Sequence, residues 1–213
     1  MKKTLIVISS NRGWARELEQ SLEAMQSAGA ILLEEYGSPC VCFARCRALS
    51  MACETLRSFA DRDVVLMVDD DMQIPLATAQ LVVDEARERG EACSAIYATQ
   101  SRTIAAEQRK DGRWMTGCGT LAIPRHMLLE LEQRSPSFEM RGKAYTAFTS
   151  TGARNGRWMG EDFTLCDNLG GVHLLPAAVG HVKPVPLWPD DETLARIGLR
   201  IAESQTNKRG DQQ

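Results

Sequence analysis

Two acidic segments and one histidine are the parts of this sequence best suited to bind a cation or move a proton. The first segment, Asp69-Asp70-Asp71, directly follows the apolar run 64–68. Three adjacent carboxylates repel one another, and a bound divalent cation would compensate their charge. Mg²⁺ and Mn²⁺ prefer carboxylate oxygens and usually bind through one or two of them plus phosphates. Alternate side chains of an extended segment share a face. Asp69 and Asp71 are therefore predicted at the site, with Asp70 as a supporting group; a solvated acidic turn is the alternative.

The second acidic segment is Glu161-Asp162, which follows Gly160 at the start of a predicted short helix. Carboxylates are stabilising at a helix N-terminus in any protein, because they meet the positive end of the helix dipole. In the functional interpretation, one carboxylate takes a proton from a hydroxyl as a general base and the other holds that substrate. His181 follows a short predicted strand, and imidazole is an acceptable Mn²⁺ ligand beside carboxylates. A lone histidine is, however, more often structural.

Four of the seven cysteines lie close together in the sequence, at Cys40, Cys42, Cys46 and Cys53. A zinc site is one interpretation, but this spacing is not that of a recognised zinc finger. An odd number of cysteines excludes a complete set of internal disulfides. We therefore predict buried free thiols in a reducing compartment.

Apolar and amphipathic runs alternate along the first hundred residues. Strands are predicted at 4–9, 30–36, 63–68 and 93–99, and helices at 14–28, 44–59 and 76–89. This alternation indicates βαβ units and a largely parallel sheet that is covered on both faces. Ligands of such sheets bind at the carboxyl ends of the strands, which is where the aspartate triplet lies.

The pattern is looser in the second half of the chain. Residues 110–113 are predicted as a turn between two short strands, 120–123 as a strand and 162–169 as a helix. Pro124 is expected to open a helix through residues 127–131, and 172–175 to form a strand. The segment 134–159 has no clear period, so it is predicted to be a long mobile loop in which Gly142, Gly152 and Gly156 permit movement. A terminal helix is predicted at 190–203, within one domain covering 1–204, followed by a polar tail, 205–213.

Composition excludes several classes of protein. The formal charge of −3 argues against a chain built to coat nucleic acid or an acidic membrane. No segment approaches the roughly 20 apolar residues of a membrane span. The apolar run 5–8 is too short for a signal peptide, so a cytoplasmic location is expected. The sequence gives no indication of the oligomeric state.

Taken in order, four segments resemble the family 2-like glycosyltransferases of the GT-A fold. They are the strand and DxD motif at 64–75, the glycine-containing strand at 117–125, the ED motif at 160–166, and His181. The resemblance spans about residues 4–184. It implies an α/β fold of the GT-A (Rossmann-like) type, with a mostly parallel central sheet flanked by helices in a single domain. It also implies metal-dependent transfer of a sugar from a nucleotide-diphosphate-sugar donor to an acceptor hydroxyl, with inversion as the expected outcome.

The same resemblance implies roles for individual residues. Mn²⁺ or Mg²⁺ would be held by Asp69, Asp71 and His181, and catalysis would involve Asp162 as the base with Glu161 beside it. The donor would be contacted by Asp69, Arg45, Arg47, Ser9 and Gly119. For the two arginines, a solvated helix start is the alternative. The loop 134–159 is expected to close over the donor, and it is shorter and less aromatic than in members of known substrate, so the acceptor stays unidentified.

Two alternative functions are left open. The first is a nucleotidyltransferase that makes nucleotide sugars, but such enzymes usually begin with a glycine-rich, basic loop after the first strand, and residues 9–13 are poor in glycine. The second is a non-catalytic module that binds nucleotide sugars. A binding module would have no use for a general base, so the intact acidic segments favour an enzyme.

Overall fold

The computed structural model describes residues 1, 3–10, 13–36, 38, 40–59, 61–97, 106–154 and 156–182. Residues Met1–Val182 form one compact unit. The helices in the described part are α1 (Arg16–Ser27), α2 (Val41–Ser58), α3 (Leu76–Arg89), α4 (Arg125–Arg134) and α5 (Glu161–Asn168). The strands are β1 (Thr4–Ser10), β2 (Ile31–Tyr36), β3 (Val64–Asp69), β4 (Met72–Gln73), β5 (Cys93–Ile96), β6 (Ala106–Gln108), β7 (Trp114–Thr116), β8 (Thr120–Pro124), β9 (Ser137–Met140), β10 (Lys143–Thr146), β11 (Gly152–Arg154), β12 (Arg157–Met159), β13 (His173–Ala178) and β14 (Gly180–His181).

A six-stranded sheet in the order β13-β5-β8-β3-β1-β2 forms the centre of the fold. Strands β2, β1 and β3 pair in parallel, as do β13 and β5. Only β8 runs in the opposite direction, between β3 and β5. The predicted α/β fold with a mostly parallel sheet is therefore confirmed, and the carboxyl ends of β1, β2 and β3 meet at one edge.

Strand β3 explains why the sheet is covered on both faces. Its residues are apolar without interruption, as expected of a strand buried on two sides. Leu66 and Val68 pack into one core with residues of α1 and α3, whereas Val65 and Met67 pack into a second core with residues of α2, α4 and α5. Because successive side chains point to opposite faces of the strand, one continuous apolar run contributes to both cores. Asp69, the last residue of β3, is the first that is not buried.

The prediction of a long mobile loop at 134–159 is wrong, because this segment folds into two β-hairpins, β9–β10 and β11–β12. Arg141 and Gly142 connect β9 and β10 with φ angles of +52° and +74°, the pattern of the tight turns that suit hairpins. In the second hairpin, Gly156 likewise has a positive φ angle, +77°. These glycines therefore shape turns rather than hinges, and Gly152 opens β11.

Aromatic side chains hold the first hairpin on α2. The ring of Phe43 on α2 lies 5.5 Å from that of Phe138 and 6.1 Å from that of Tyr145. The backbone N–H of Thr146 also donates to Ser50 Oγ at 3.0 Å. Aromatic contacts of this kind add to the apolar area that the hairpin buries, so they hold this hairpin against α2.

Some predictions fall outside the described residues, namely the helix at 190–203, the tail 205–213 and the end of the strand predicted at 93–99. Within the described part, no helix combines the length and the apolar character that crossing a bilayer would require.

Candidate active site

Asp71 and His181 face each other at the carboxyl edge of the sheet, although 110 residues separate them in the chain. His181 Nε2 lies 3.2 Å from Asp71 Oδ2. The backbone sets this approach: β14 pairs antiparallel with β4 so that His181 is opposite Met72, and the N–H of Val182 donates to the carbonyl of Asp71 at 2.7 Å. Backbone pairing therefore places the two side chains opposite each other.

The three consecutive aspartates point to three different partners. Asp69 Oδ1 accepts from Arg45 at 2.8 Å, Asp70 Oδ2 accepts from Ser10 Oγ at 3.0 Å, and Asp71 faces His181. The prediction that Asp69 and Asp71 share a face assumed an extended segment. Strand β3 ends at Asp69, however, and Asp70 and Asp71 form a turn before β4. Asp70 ties this turn to β1 through Ser10, and its role as a supporting group of the site stays a prediction.

Arg45 is the centre of the largest charged cluster in the site. Its side chain is only 3% exposed, and it forms ion pairs with Asp69 at 2.8 Å, with Glu161 at 3.4 Å and with Asp162. Burial by itself lowers the pKa of Arg45, but the neighbouring Asp69 and Glu161 carboxylates more than reverse this and hold the guanidinium charged. One buried cation thus gathers three carboxylates from β3 and α5, which agrees with the fork of donors that a guanidinium offers.

Glu161 and Asp162 occupy the first turn of α5. Thr149 donates its hydroxyl hydrogen to the backbone carbonyl of Glu161, and Thr151 Oγ1 lies 3.5 Å from Glu161 Oε2. The segment between the two hairpins therefore packs along the start of α5. Thr149 was not expected from the sequence, because nothing in the pattern of residues 134–159 indicates a contact with the ED motif.

Ser9 and Gly119, both predicted to contact a donor, lie at the same edge. Ser9 is opposite Asp69 in the pairing of β1 with β3 and opposite Glu35 in the pairing with β2. A Cβ on Gly119 would lie 2.9 Å from Met72 Sδ and 3.1 Å from Tyr97 Cε1. That face of Gly119 is therefore filled by protein, and the glycine makes room for Tyr97.

Tyr97 is a further residue of the site that the sequence did not single out. It is buried, and its ring meets that of His181 edge to face, with 5.2 Å between centroids. Burial raises the pKa of the Tyr97 hydroxyl. The nearby glycines are the sequence signal for it, since a Cβ on Gly117 would lie 2.5 Å from Tyr97 Cζ.

Arg47, the second arginine predicted near the donor, has different partners from those of Arg45. It pairs with Glu35 at 2.9 Å, and its guanidinium lies 5.6 Å and 5.5 Å from the ring centroids of Phe43 and Tyr145. The reason is helical geometry, because residues two apart on a helix point in different directions. Burial raises the pKa of Glu35, an effect that Arg47 and Lys143 oppose.

The donor set fits a divalent cation in part. Among the described residues, no three His, Cys, Asp or Glu side chains form a group that could hold a metal ion. The predicted three-ligand set is therefore not assembled, because Asp69 is turned to Arg45. The remaining Asp71–His181 pair offers an oxygen and a nitrogen 3.2 Å apart. Adjacent ligands of an octahedral ion with bonds of about 2.1 Å lie roughly 3 Å apart, so the separation in this pair suits two neighbouring ligands of such an ion.

The cysteines take no part in such a site. All seven are free, with Cys40 exposed and Cys46 and Cys53 buried. Cys42 and Cys46 both donate to the carbonyl of Thr149, at 3.5 Å and 3.7 Å. The four clustered cysteines are predicted to be buried, and burial is confirmed for Cys46 and Cys53, whereas Cys42 is half-buried and Cys40 is exposed.

No protein-family model matches the sequence, and no curated protein sequence matches it significantly. Among solved structures, A197 from STIV is 18% identical over 85% of this chain and 82% of its own, with a TM-score of 0.54. Glucosyl-3-phosphoglycerate synthase from Mycobacterium tuberculosis, solved with Mn²⁺, uridine diphosphate and glucosyl-3-phosphoglycerate, is 12% identical over 94% and 82% of the two chains, with a TM-score of 0.43. CMP:2-keto-3-deoxy-manno-octonic acid synthetase complexed with CTP is 11% identical over 98% and 100%, with a TM-score of 0.40. At such identities the likeness concerns the fold alone, and with A197 this chain shares its α/β architecture.

Proposed function

We propose that this protein is a glycosyltransferase that uses a divalent cation to transfer a sugar from a nucleotide-diphosphate-sugar donor to an acceptor hydroxyl, with inversion at the anomeric carbon. The observation that carries the proposal is the 3.2 Å approach of Asp71 Oδ2 and His181 Nε2 at the carboxyl edge of β3. Two carboxylates of α5, Glu161 and Asp162, lie across Arg45 from Asp69 at the same edge. A cation site and a proton acceptor within one cluster suit transfer from a diphosphate to a hydroxyl.

The cation, Mn²⁺ or Mg²⁺, would be held by Asp71 and His181. When bound, it would neutralise charge on the diphosphate leaving group. Asp69 is fixed by Arg45 and would orient the donor. Asp162 would accept the proton of the attacking hydroxyl, with its carboxylate aimed by Arg45 and the acceptor held by Glu161.

Three residues remain from the predicted donor site. Ser9 lies between Asp69 and Glu35 at the sheet edge, and we propose that its hydroxyl contacts the nucleotide. Gly119 would act indirectly, since it makes room for Tyr97, which packs on His181. Arg47 pairs with Glu35, the residue opposite Ser9, and its contact with the donor stays a prediction.

The test compares Asp71→Asn with the matched variant Asp70→Asn, in reactions supplied with nucleotide-sugar donors and Mn²⁺. Asp71→Asn removes one charged ligand of the metal ion that would stabilise the leaving group, so it should lower metal-dependent turnover by about 100-fold or more. Asp70→Asn should retain most of it, because an amide oxygen still accepts from Ser10. Release of a nucleoside diphosphate is the readout for transfer. In a parallel reaction supplied with a nucleoside triphosphate, release of pyrophosphate would instead identify a nucleotidyltransferase. Full turnover by Asp71→Asn, or by wild type with a chelator present, would contradict the metal site.

A further inference from the structure

A cavity of about 350 Å³ lies beside the C-terminal end of α5. This volume falls within the range of small-molecule sites. Its polar wall is formed by Arg134, Ser135, Thr149, Ser150, Arg154 and Asn168. The guanidinium groups of Arg134 and Arg154 therefore lie in one small cavity.

Neutral groups are the partners of both arginines. Arg154 donates to Asn168 Oδ1 and to Ser150 Oγ, each at 3.1 Å. Arg134 donates to the backbone carbonyl of Asn168, the last residue of α5. Within the described part of the chain, neither guanidinium forms an ion pair with a carboxylate. By contrast, the neighbouring Arg109 pairs with Asp167 and Arg157 with Glu107.

The chemistry of this wall selects an oxyanion. Like charges repel at short range, so an anion between Arg134 and Arg154 would stabilise both. Each guanidinium has five N–H donors in a planar fork that matches phosphate and carboxylate oxygens. Ser150 adds a hydroxyl beside Arg154. Charged donors together with a hydroxyl are the usual elements of a site for a phosphate or carboxylate group.

The cavity is connected to the candidate active site by two structural elements. Thr149 lines the cavity and donates to the carbonyl of Glu161. Helix α5 runs from Glu161 to Asn168, which corresponds to about 10 Å along its axis. An anionic group held at Arg154 would therefore lie about one length of α5 from the carboxylates of its first turn, Glu161 and Asp162.

We propose that this cavity binds the phosphate or carboxylate group of the acceptor. The inference rests on the proposed function and narrows the acceptor class to small, extended acids that carry a hydroxyl at the end remote from the anion. Arg134 and Arg154 bind the anion, and Ser150 orients it.

The direct test measures binding of inorganic phosphate and of acetate by titration calorimetry, without donor or metal. Ser150→Asp places a carboxylate beside Arg154, whereas Ser150→Asn is a neutral control of nearly the same size at this exposed position. Phosphate affinity should fall about tenfold or more in Ser150→Asp, the value of one charge-assisted hydrogen bond, and should change little in Ser150→Asn.

A second pair of variants guards against a folding artefact. Arg154→Gln should also weaken phosphate binding, whereas Arg125→Gln should not. Arg125 is a matched control because, within the described part of the chain, its guanidinium likewise donates to neutral groups, the carbonyls of Phe59 and Arg62. Equal phosphate affinity in wild type, Ser150→Asp and Arg154→Gln would overturn the proposal, as would the absence of binding in wild type. Tighter binding of phosphate than of acetate would identify phosphate as the source of the anion, and the reverse a carboxylate.

A transfer assay then tests the acceptor role. Neutral sugars and polyols are compared with their own phosphate esters and carboxylic acids, at one donor and Mn²⁺ concentration. Anionic members should react at least about tenfold faster in wild type, and Ser150→Asp should remove the advantage. Preference for the neutral members would overturn the acceptor assignment. The two proposals can fail separately. If Ser150→Asp weakens phosphate binding but the protein binds no nucleotide sugar with Mn²⁺, the anion site is upheld and the proposed function is not.

Discussion

Two polar clusters, the Arg45 cluster and the Asp71–His181 pair, lie side by side at the end of β3. They differ in how the charge of their carboxylates is compensated. Around Arg45, the protein supplies its own cation, and Asp69, Glu161 and Asp162 share it. In the Asp71–His181 pair, an acid faces an imidazole that carries a charge only when protonated. A divalent ion therefore has more to gain at the pair than at Asp69, although all of these residues lie at one edge of the sheet.

The two clusters also differ in how they are held together. Side-chain ion pairs between α2, β3 and α5 assemble the Arg45 cluster. Backbone pairing of β4 with β14 assembles the other. Changes in the first should therefore appear mainly as losses of stability, and changes around the second mainly as losses of ion binding.

The largest effect is expected from Arg45→Gln, which leaves three carboxylates around an uncharged side chain. Breaking a buried ion pair from one side lowers the free energy of unfolding by about 3–5 kcal/mol, measurable by urea denaturation. Arg47→Gln is the control, because among the described residues the ion pair of Arg47 involves one carboxylate, that of Glu35, and its side chain is 27% exposed. The loss of stability should be clearly smaller. Equal losses would mean that the number of carboxylates around Arg45 is not what matters.

A smaller effect is expected from Gly117→Ala, which tests the second cluster without touching a ligand. The new Cβ would lie 2.5 Å from Tyr97 Cζ, so the ring must move, at a cost of about 1–3 kcal/mol. Because Tyr97 packs on His181, Mn²⁺ binding should weaken as well, which a calorimetric titration would measure. Gly152→Ala is the control, since a Cβ there meets no atom within 4 Å. Unchanged Mn²⁺ affinity in Gly117→Ala would show that Tyr97 does not support His181.

The smallest effect is a pH dependence at Glu35, whose carboxyl has a pKa raised by burial above its usual value of 4.5. A group with a raised pKa in the folded state contributes stability below its unfolded pKa and loses it as the pH rises through the folded pKa. Gln at this position stays neutral. The free energy of unfolding of Glu35→Gln minus that of wild type should therefore increase from pH 4 to pH 7. Urea unfolding at both pH values measures this difference. A difference that moves toward wild type with rising pH would contradict the shift.

Much of the fold follows from local sequence signals, because each helix and each strand of the central sheet up to residue 97 has its own hydrophobic pattern. Helix α3 is predicted to its last residue, since Gly90 ends it with a φ of +64°. The hairpins at 137–159 were missed because their strands are only three or four residues long and are largely exposed. The dipeptides Arg141-Gly142 and Asn155-Gly156 were the available signals, and the second is a well-known hairpin sequence.

The site was less accessible from sequence than the fold. Arg45 was predicted near a diphosphate, but its contacts with Asp69 and Glu161 join residues 24 and 116 positions apart. Periodicity carries no information on such pairs, and the same holds for Asp71 with His181. Only the resemblance to a known family indicated that His181 belongs with the aspartates. The geometry that joins them, a two-residue strand at each end, is too short to leave a pattern.

The divergence of Asp69, Asp70 and Asp71 has a consequence for how this stretch tolerates change. Three neighbouring positions serve α2, β1 and β14 separately, so an insertion or deletion of a single residue here would misassign all three partners at once. Substitutions, in contrast, would disable one connection and spare the other two. The number of residues in this triplet is therefore more constrained than the identity of any one of them.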